Sequence, residues 1–435
     1  MKSNRILKIL IGLVVLLHVS TVLYIIVRDG DAYQYYTGVG DKISISPDDQ
    51  KIAFSYYRGG EEGIYTANMD GSHVEKVVSD EKKQLHNPKY MSDGEQILYL
   101  AKDTEGDNSL FIVDLVGGDP KQLTDERTHI HDAVFSEADD MIYFIGINVK
   151  EWHKDLGETK EGFDLFSMKP GEADEQQLTD KDYFSMDGLS VSKDGKRIFY
   201  SEFTGNREVI RSFSLEDKTI KKAITPKGLS GAQSAYHPQL SPDEKKMAFT
   251  AVTKESQKSS LFKYDLFLMD MDSEETERLT DLQAAVDSPV FFHHQDTIAF
   301  LENTTWSAEP AQYRLRTIDL QAKTLSTIEL DVPESGRVDW LKRKLDQAVN
   351  IYTIAVLYTI LLGLISVYFH SKAKRIYLPV IVSFTLAVTI FVGSFVVAAM
   401  GKPWMGIGFA MLAVGVFVCS LIVLVFAFIY KRIAK

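Results

Sequence analysis

SPDDQKIAF at residues 46–54, MSDGEQILYL at 91–100, VSKDGKRIFY at 191–200 and LSPDEKKMAF at 240–249 are four copies of one phrase. Two looser copies are FSEADDMIYF at 135–144 and FHHQDTIAFL at 292–301. The phrase predicts a strand, a tight turn rich in Ser, Pro, Asp and Gly, and a second strand. In Ser46-Pro47-Asp48-Asp49 the proline presets φ for the second position of a type I turn, while Ser and Asp can bond back to the chain. The apolar residues that anchor the second strand are Ile52, Ile97, Ile142, Ile198, Met247 and Ile298. They are separated by 45, 45, 56, 49 and 51 residues, which is the length of a four-stranded propeller blade.

The order within a unit follows from the first copy. Short strands are predicted at 41–45, 51–56, 63–67 and 74–78, with the turn Met69-Asp70-Gly71-Ser72 between the third and fourth. Similar endings recur as KQLTD (121–125), QQLTD (176–180) and ERLTD (277–281). Six such units fill residues 41–331. The predicted fold class is an all-β six-bladed β-propeller ectodomain plus four transmembrane α-helices, one N-terminal and three C-terminal.

The phrase resembles the TolB-like propeller repeat over roughly residues 41–300 and matches best in the second, fourth and fifth units. The resemblance implies a propeller and leaves function open, since propellers host binding modules and enzymes alike. TolB is a soluble periplasmic protein with a further domain ahead of its propeller. No counterpart to that domain is read here, so no role in the Tol system is carried over.

Outside the repeats, residues 9–27, 348–369, 376–400 and 404–430 are mostly apolar. Each is long enough to cross about 30 Å of hydrocarbon at 1.5 Å per residue. The first reads as a retained anchor rather than a signal peptide, because its apolar run is long and RDGDAYQYY (28–36) has no small-x-small cleavage pattern. The expected divisions are an N-terminal tip and anchor (1–28), a linker (29–40), the propeller (41–331), a second linker (332–347) and three helices with a short tail (348–435). Lys2, Arg5 and Lys8 precede the first span, Lys372, Lys374 and Arg375 join the second and third, and Lys431, Arg432 and Lys435 end the chain. The positive-inside rule then places both termini in the cytoplasm and the propeller outside, in a cell-envelope protein of bacterial type. Lys342, Arg343 and Lys344 run against the rule, which long translocated domains weaken.

Of 48 basic and 60 acidic residues, 37 and 59 lie between Asp29 and Leu345, so the domain carries about −22. That charge argues against nucleic acid and against adhesion to anionic headgroups. The lone cysteine, Cys419, lies in the last span, which excludes a disulfide-stapled ectodomain.

The first strand of each blade lines a propeller's channel, and the position ten before each anchor should sit near one mouth. Those positions are Lys42, Asn87, Asp132, Gly188, His237 and Ser288, with His86, His131 and Asp187 adjacent. A ring this polar is either a wet tunnel wall or a ligand or partner site. The candidate binding residues are His86, Asn87, His131, Asp132, Asp187 and His237. The longer loops at 147–162, 254–260 and 302–312 all join second to third strands, and insertions grouped on one face often mark the binding face. By strand parity both linkers leave from that face, which is expected to look toward the bilayer or the helices.

Chemical motifs give little. Gly228-Leu229-Ser230-Gly231 lacks the G-x-S-x-G spacing of a nucleophile elbow. His129 and His131 alternate on a strand beside Asp132, but no third ligand is located, so no metal is assigned. His293 and His294 point to opposite faces if extended. No phosphate-cradling glycine loop opens a helix, and no cofactor is expected. The last three spans hold no Asp, Glu, Lys or Arg, which argues against ion-coupled transport. Ser394 with Ala398, and Gly406 with Ala410, have small-xxx-small spacing for close helix packing. The sequence therefore predicts a membrane-anchored binding or scaffold module for a protein, peptide or envelope component. An envelope hydrolase or lyase working at the channel mouth is the alternative, and a subunit of a larger complex held through its helices is a third. No catalytic residue is assigned, and neither the partner nor any reaction is named by the sequence.

Overall fold

A computed structural model describes residues 2–28, 30–136, 138–155, 157–172, 174–229, 233–332, 340–372 and 374–433. The chain divides into two compact units, residues 31–336 and residues 1–30 with 337–435.

The first unit has a β-propeller fold of antiparallel four-stranded ladders. In the first ladder the strands are Thr37–Ile45, Lys51–Arg58, Glu61–Asn68 and Glu75–Ser79, paired in chain order. The second and third strands are buried along nearly their whole length, and the fourth is the most exposed. Continuous burial explains why these strands read as unbroken apolar runs rather than alternating ones, because each sheet is covered on both faces. The ladders that follow begin with Gln84–Tyr90, Thr128–Phe135, Met186–Val191, Ala235–Leu240 and Ala285–Phe291. The last two ladders count as one eight-stranded sheet through a single parallel bridge, Tyr264 to Ala285.

Apolar side chains fill the space between consecutive ladders. Ile64 of the first packs with Ile97 and Tyr99 of the second, and Phe54 of the first packs with Leu301 and Leu315 of the last. All six repeat anchors, Ile52, Ile97, Ile142, Ile198, Met247 and Ile298, are fully buried. Fully burying such a side chain contributes about 1.5–3 kcal/mol.

The turn after each first strand shows why the phrase recurs. Ser46 Oγ donates to Asp48 Oδ1 at 2.6 Å and accepts the Lys51 amide at 2.8 Å, and Ser192 and Ser241 do the same with Asp194 and Asp243. The next residue is left-handed: Asp49, Gly94, Asp139, Gly195 and Glu244 have φ between +54° and +71°. Where that residue carries a carboxylate, it clasps a neighbouring ladder. Asp49 accepts the His293 and His294 amides, Asp139 accepts from Ser92, and Glu244 accepts the Lys193 amide. Clasping residues thus alternate with glycines through the first five ladders, with Gln295 at the position in the sixth, and one clasp joins the first ladder to the last.

Beyond the last strand, Ile328, Leu330 and Val332 pack into the core shared by the first and last ladders. The Asp331 amide donates to Gly71 O at 2.9 Å, in the turn between the third and fourth strands of the first ladder. Leu330 and Val332 also line a pocket with Thr304 and Gln312, in the loop joining the second and third strands of the last ladder, the class of loop from which strand parity expects this exit. Residues 333–339 of the expected linker, and Ser230 and Gly231 of the serine string, lie outside the described residues. At the other end Tyr33 stacks on Tyr57 and its hydroxyl accepts the Ala311 amide at 3.1 Å, so the N-terminal segment does meet those loops.

The second unit holds four helices long and apolar enough to cross a membrane: Arg5–Val27, Ile351–Ser371, Leu378–Ala399 and Pro403–Ile433. A Cβ on Gly406 would lie 2.8 Å from Ser394 O and 2.9 Å from the Ala398 methyl, so the small-residue spacing does serve close packing. A further helix, Trp340–Ala348, exposes Trp340, Leu341 and Leu345 in a stretch read from sequence as linker.

Candidate functional site

Every first strand is interrupted by a bulge near the position expected to line the channel. The register slips between Val39 and Ile43, His86 and Lys89, Asp187 and Ser190, Tyr236 and Gln239, and Asp287 and Val290, with a shift at Ile145–Gly146 in the third ladder. A bulge adds a residue and re-aims its side chain. Asn87, Gly188, His237 and Ser288 occupy it with φ between +49° and +72°. At Gly188 a Cβ would fall 2.5 Å from His237 Cα, so the neighbouring backbone also requires glycine there.

The bulges bring five titratable side chains together. His237 Nε2 lies 2.6 Å from Asp187 Oδ2, and its Nδ1 lies 3.2 Å from Asp287 Oδ1. Lys42 Nζ sits between the same two residues, 4.0 Å from Asp187 and 3.9 Å from Asp287. His131 Nε2 is 3.9 Å from the other Asp187 oxygen. Burial alone would lower the Lys42 and His237 pKa values, but the adjoining Asp187 and Asp287 carboxylates outweigh it and hold both above their ordinary values. Burial would likewise raise Asp187, yet Lys42 and His237 hold it well below the usual carboxylate range. These side chains keep between 16% and 40% of their surface exposed.

Of the six residues expected from sequence, Asp187, His237 and His131 meet in this cluster. Asn87 and Asp132 meet beside it: Asn87 Nδ2 donates to Asp132 Oδ1 at 2.8 Å, and the Leu189 amide donates to Asp132 Oδ2 at 2.9 Å. Asp132 thereby ties the second, third and fourth ladders together. His86 is separate, with Nε2 3.1 Å from Asn108 Oδ1, and burial lowers its pKa. Asp287 was missed, although it stands in the sixth repeat where Asp187 stands in the fourth.

His129 and His131 find different partners. His129 is buried against the Trp152 ring at 4.1 Å, and its pKa is pushed down to about 4 by burial and by His131. Glu105, Asp107 and His153 form a cluster with metal-ligating atoms within 4.8 Å of one another. There His153 Nε2 already pairs with Asp107 Oδ2 at 2.9 Å.

Aromatic residues surround the same end of the channel. Trp152, Phe184, Leu261, Phe262 and Trp306 are exposed on loops that join second to third strands or enter the next ladder. Trp306 Nε1 donates to Phe262 O at 2.5 Å, joining the long loops of the fifth and sixth ladders. Phe184 is 67% exposed beside Phe203. Among the described residues of this unit, the other large exposed apolar side chains are Val116 and Leu325.

No protein-family model and no curated protein matches the chain. Solved structures that resemble it include a putative TolB from Agrobacterium tumefaciens, 16% identical, covering 60% of this chain and 86% of that one at a TM-score of 0.49. TolB from Acinetobacter baumannii is 16% identical, covering 69% of this chain and 65% of that one, also at 0.49. An oligogalacturonate lyase from Vibrio parahaemolyticus is 12% identical, covering 70% and 81%, at 0.48. The TolB-like resemblance of the repeat phrase recurs among these matches.

Proposed function

We propose that this chain is a membrane-anchored, extracytoplasmic binding module. In this reading its ladders are the blades of a closed six-bladed propeller, and its loop-rich mouth captures a protein or peptide partner. Closure is supported by the core and the Asp49 clasp that join the first and last ladders. The outside location is supported by the cationic segments that flank the spans.

The observation that carries the reading is the gathering of Trp152, Phe184, Leu261, Phe262 and Trp306 at one end of the channel around an ionic cluster. Aromatic anchors around a polar centre are what protein recognition uses, because they offer large contact area at small conformational cost. The cluster itself suits recognition better than proton transfer. Both nitrogens of His237 face carboxylates, which favour its protonated form and leave the ring less suited to accept a proton. An envelope hydrolase or lyase at the same mouth is the second reading, and His131, 40% exposed beside Asp187, is the group it would use.

Photo-crosslinking tests the choice of surface. A benzophenone amino acid at Phe184 or Phe262 in living cells should give a discrete adduct, and one at Val116 should give none. Adducts confined to Val116 would overturn the reading. Alanine at His131 and His237 should weaken capture without abolishing any turnover.

A further inference from the structure

The other end of the channel has a different chemistry. Between the turns that end the first strands lies a cavity of about 430 Å³, lined by residues from all six first strands. Its walls mix apolar side chains, Ile43, Val134, Leu189 and Val290 among them, with polar ones that include Lys193, His293 and His294, and Lys89 is among the lining residues. Among the described residues no carboxylate oxygen lies within 4.0 Å of Lys89 Nζ. Asp132, the carboxylate that most offsets the burial of Lys89, is already occupied by Asn87, Ala133 and Leu189. Burial lowers the Lys89 pKa, outweighing the attraction of the Asp132 and Asp187 carboxylates, neither of which pairs with it directly.

Two hydroxyls complete the donor set. Ser44 Oγ accepts the Tyr90 amide at 3.1 Å, and Ser190 Oγ accepts the Leu240 amide at 3.2 Å. With an oxygen lone pair of each used by a neighbouring ladder, each O–H remains a donor, and both serines line the cavity. The carboxylates Asp139 and Glu244 also line the cavity; they accept from Ser92 and from the Lys193 amide and keep their charge. The Lys89 ammonium and two hydroxyl donors, in walls that are apolar in part, match a planar anion carried on a small body with an apolar portion.

We propose that this end of the channel is a carboxylate-binding site, with Lys89 as the charged anchor and Ser44 and Ser190 as flanking donors. Its ligand is a small acid or chain end with one carboxylate and an apolar group. The site is distinct from the partner surface at the opposite mouth and stands or falls without it.

Calorimetric titration of the full chain in detergent tests the assignment, using N-acetyl-leucine against its uncharged relative N-acetyl-leucinamide, with inorganic phosphate as a third probe. The acid should bind saturably, and the amide more weakly by about tenfold or more, as loss of a charge-assisted hydrogen bond implies. Lys89→Met should weaken the acid by a similar factor, while Lys89→Arg and the exposed Lys82→Met retain it. Equal binding of acid and amide, undiminished binding by Lys89→Met, tighter binding of phosphate than of the acid, or no saturable heat would each overturn the proposal. Should Lys89→Met fail to fold, the acid and amide compared on the unaltered protein decide the matter.

Discussion

Replacing Asp132 with alanine should destabilise the propeller more than any exposed change. Its carboxylate is buried and accepts three hydrogen bonds, from Asn87 Nδ2 at 2.8 Å, the Ala133 amide at 2.9 Å and the Leu189 amide at 2.9 Å. Two of these cross to other ladders. A hydrogen bond to a charged acceptor contributes about 1.5–3 kcal/mol, so losing the two crossing bonds costs roughly 3–6 kcal/mol. Relief from burying the carboxylate offsets part of this and favours the lower figure. The orphaned Leu189 amide, itself buried, pulls the other way. At about 2–3 °C per kcal/mol for a domain of this size, the melting temperature should fall by roughly 6–18 °C. Differential scanning fluorimetry of the full chain in detergent measures it. Asp132→Asn keeps one acceptor oxygen and should fall between the two. A melting temperature for Asp132→Ala within about 2 °C of the unaltered protein would refute the view that this carboxylate joins three ladders.

Three further outcomes follow from the same geometry. His237 has a folded pKa raised above its unfolded value near 6.5, so its contribution to stability is complete below that pH and is lost as pH climbs through the folded value; His237→Gln should abolish that slope in denaturant titrations from pH 6 upward. Glu62 is buried and its pKa is pushed up to about 8 by burial and by Asp41, so the fold keeps a proton that the unfolded chain releases and loses stability between about pH 4.5 and 8. Glu62→Gln should raise the unfolding free energy at pH 8 by an amount on the order of a few kcal/mol, and no gain there would count against the buried acid. Gly188→Ala should lower stability by more than about 1 kcal/mol, since the left-handed φ and the His237 backbone both oppose a Cβ; an unchanged melting curve would contradict the close approach.

The repeat was legible because its signals are local. Ser and Asp within one turn bond each other, and the anchors mark strands buried on both faces, so one short phrase reports turn and core together. The observed first ladder extends the expected strands by a few residues at some ends. The bulges were not legible: Gly188 advertises a left-handed φ, but Asn87, His237 and Ser288 adopt it under tertiary pressure. The clasp from Asp49 to His293 joins residues 244 apart, and no local pattern announces such a pair. Among the candidate residues, position in the repeat found Asp187 and His237 but passed over Asp287, whose role depends on how two bulges aim their side chains at one imidazole.

The claim on which the rest depends is that the propeller stands outside the cytoplasm, and the single native cysteine, Cys419, makes it directly measurable. Val116 is 95% exposed on a turn of the second ladder, and Lys372 is exposed just after the second C-terminal-unit helix to begin beyond the propeller, Ile351–Ser371. In intact cells a membrane-impermeant maleimide should label Val116→Cys and should reach Lys372→Cys only after permeabilisation. Labelling of Lys372→Cys alone in intact cells would contradict the account.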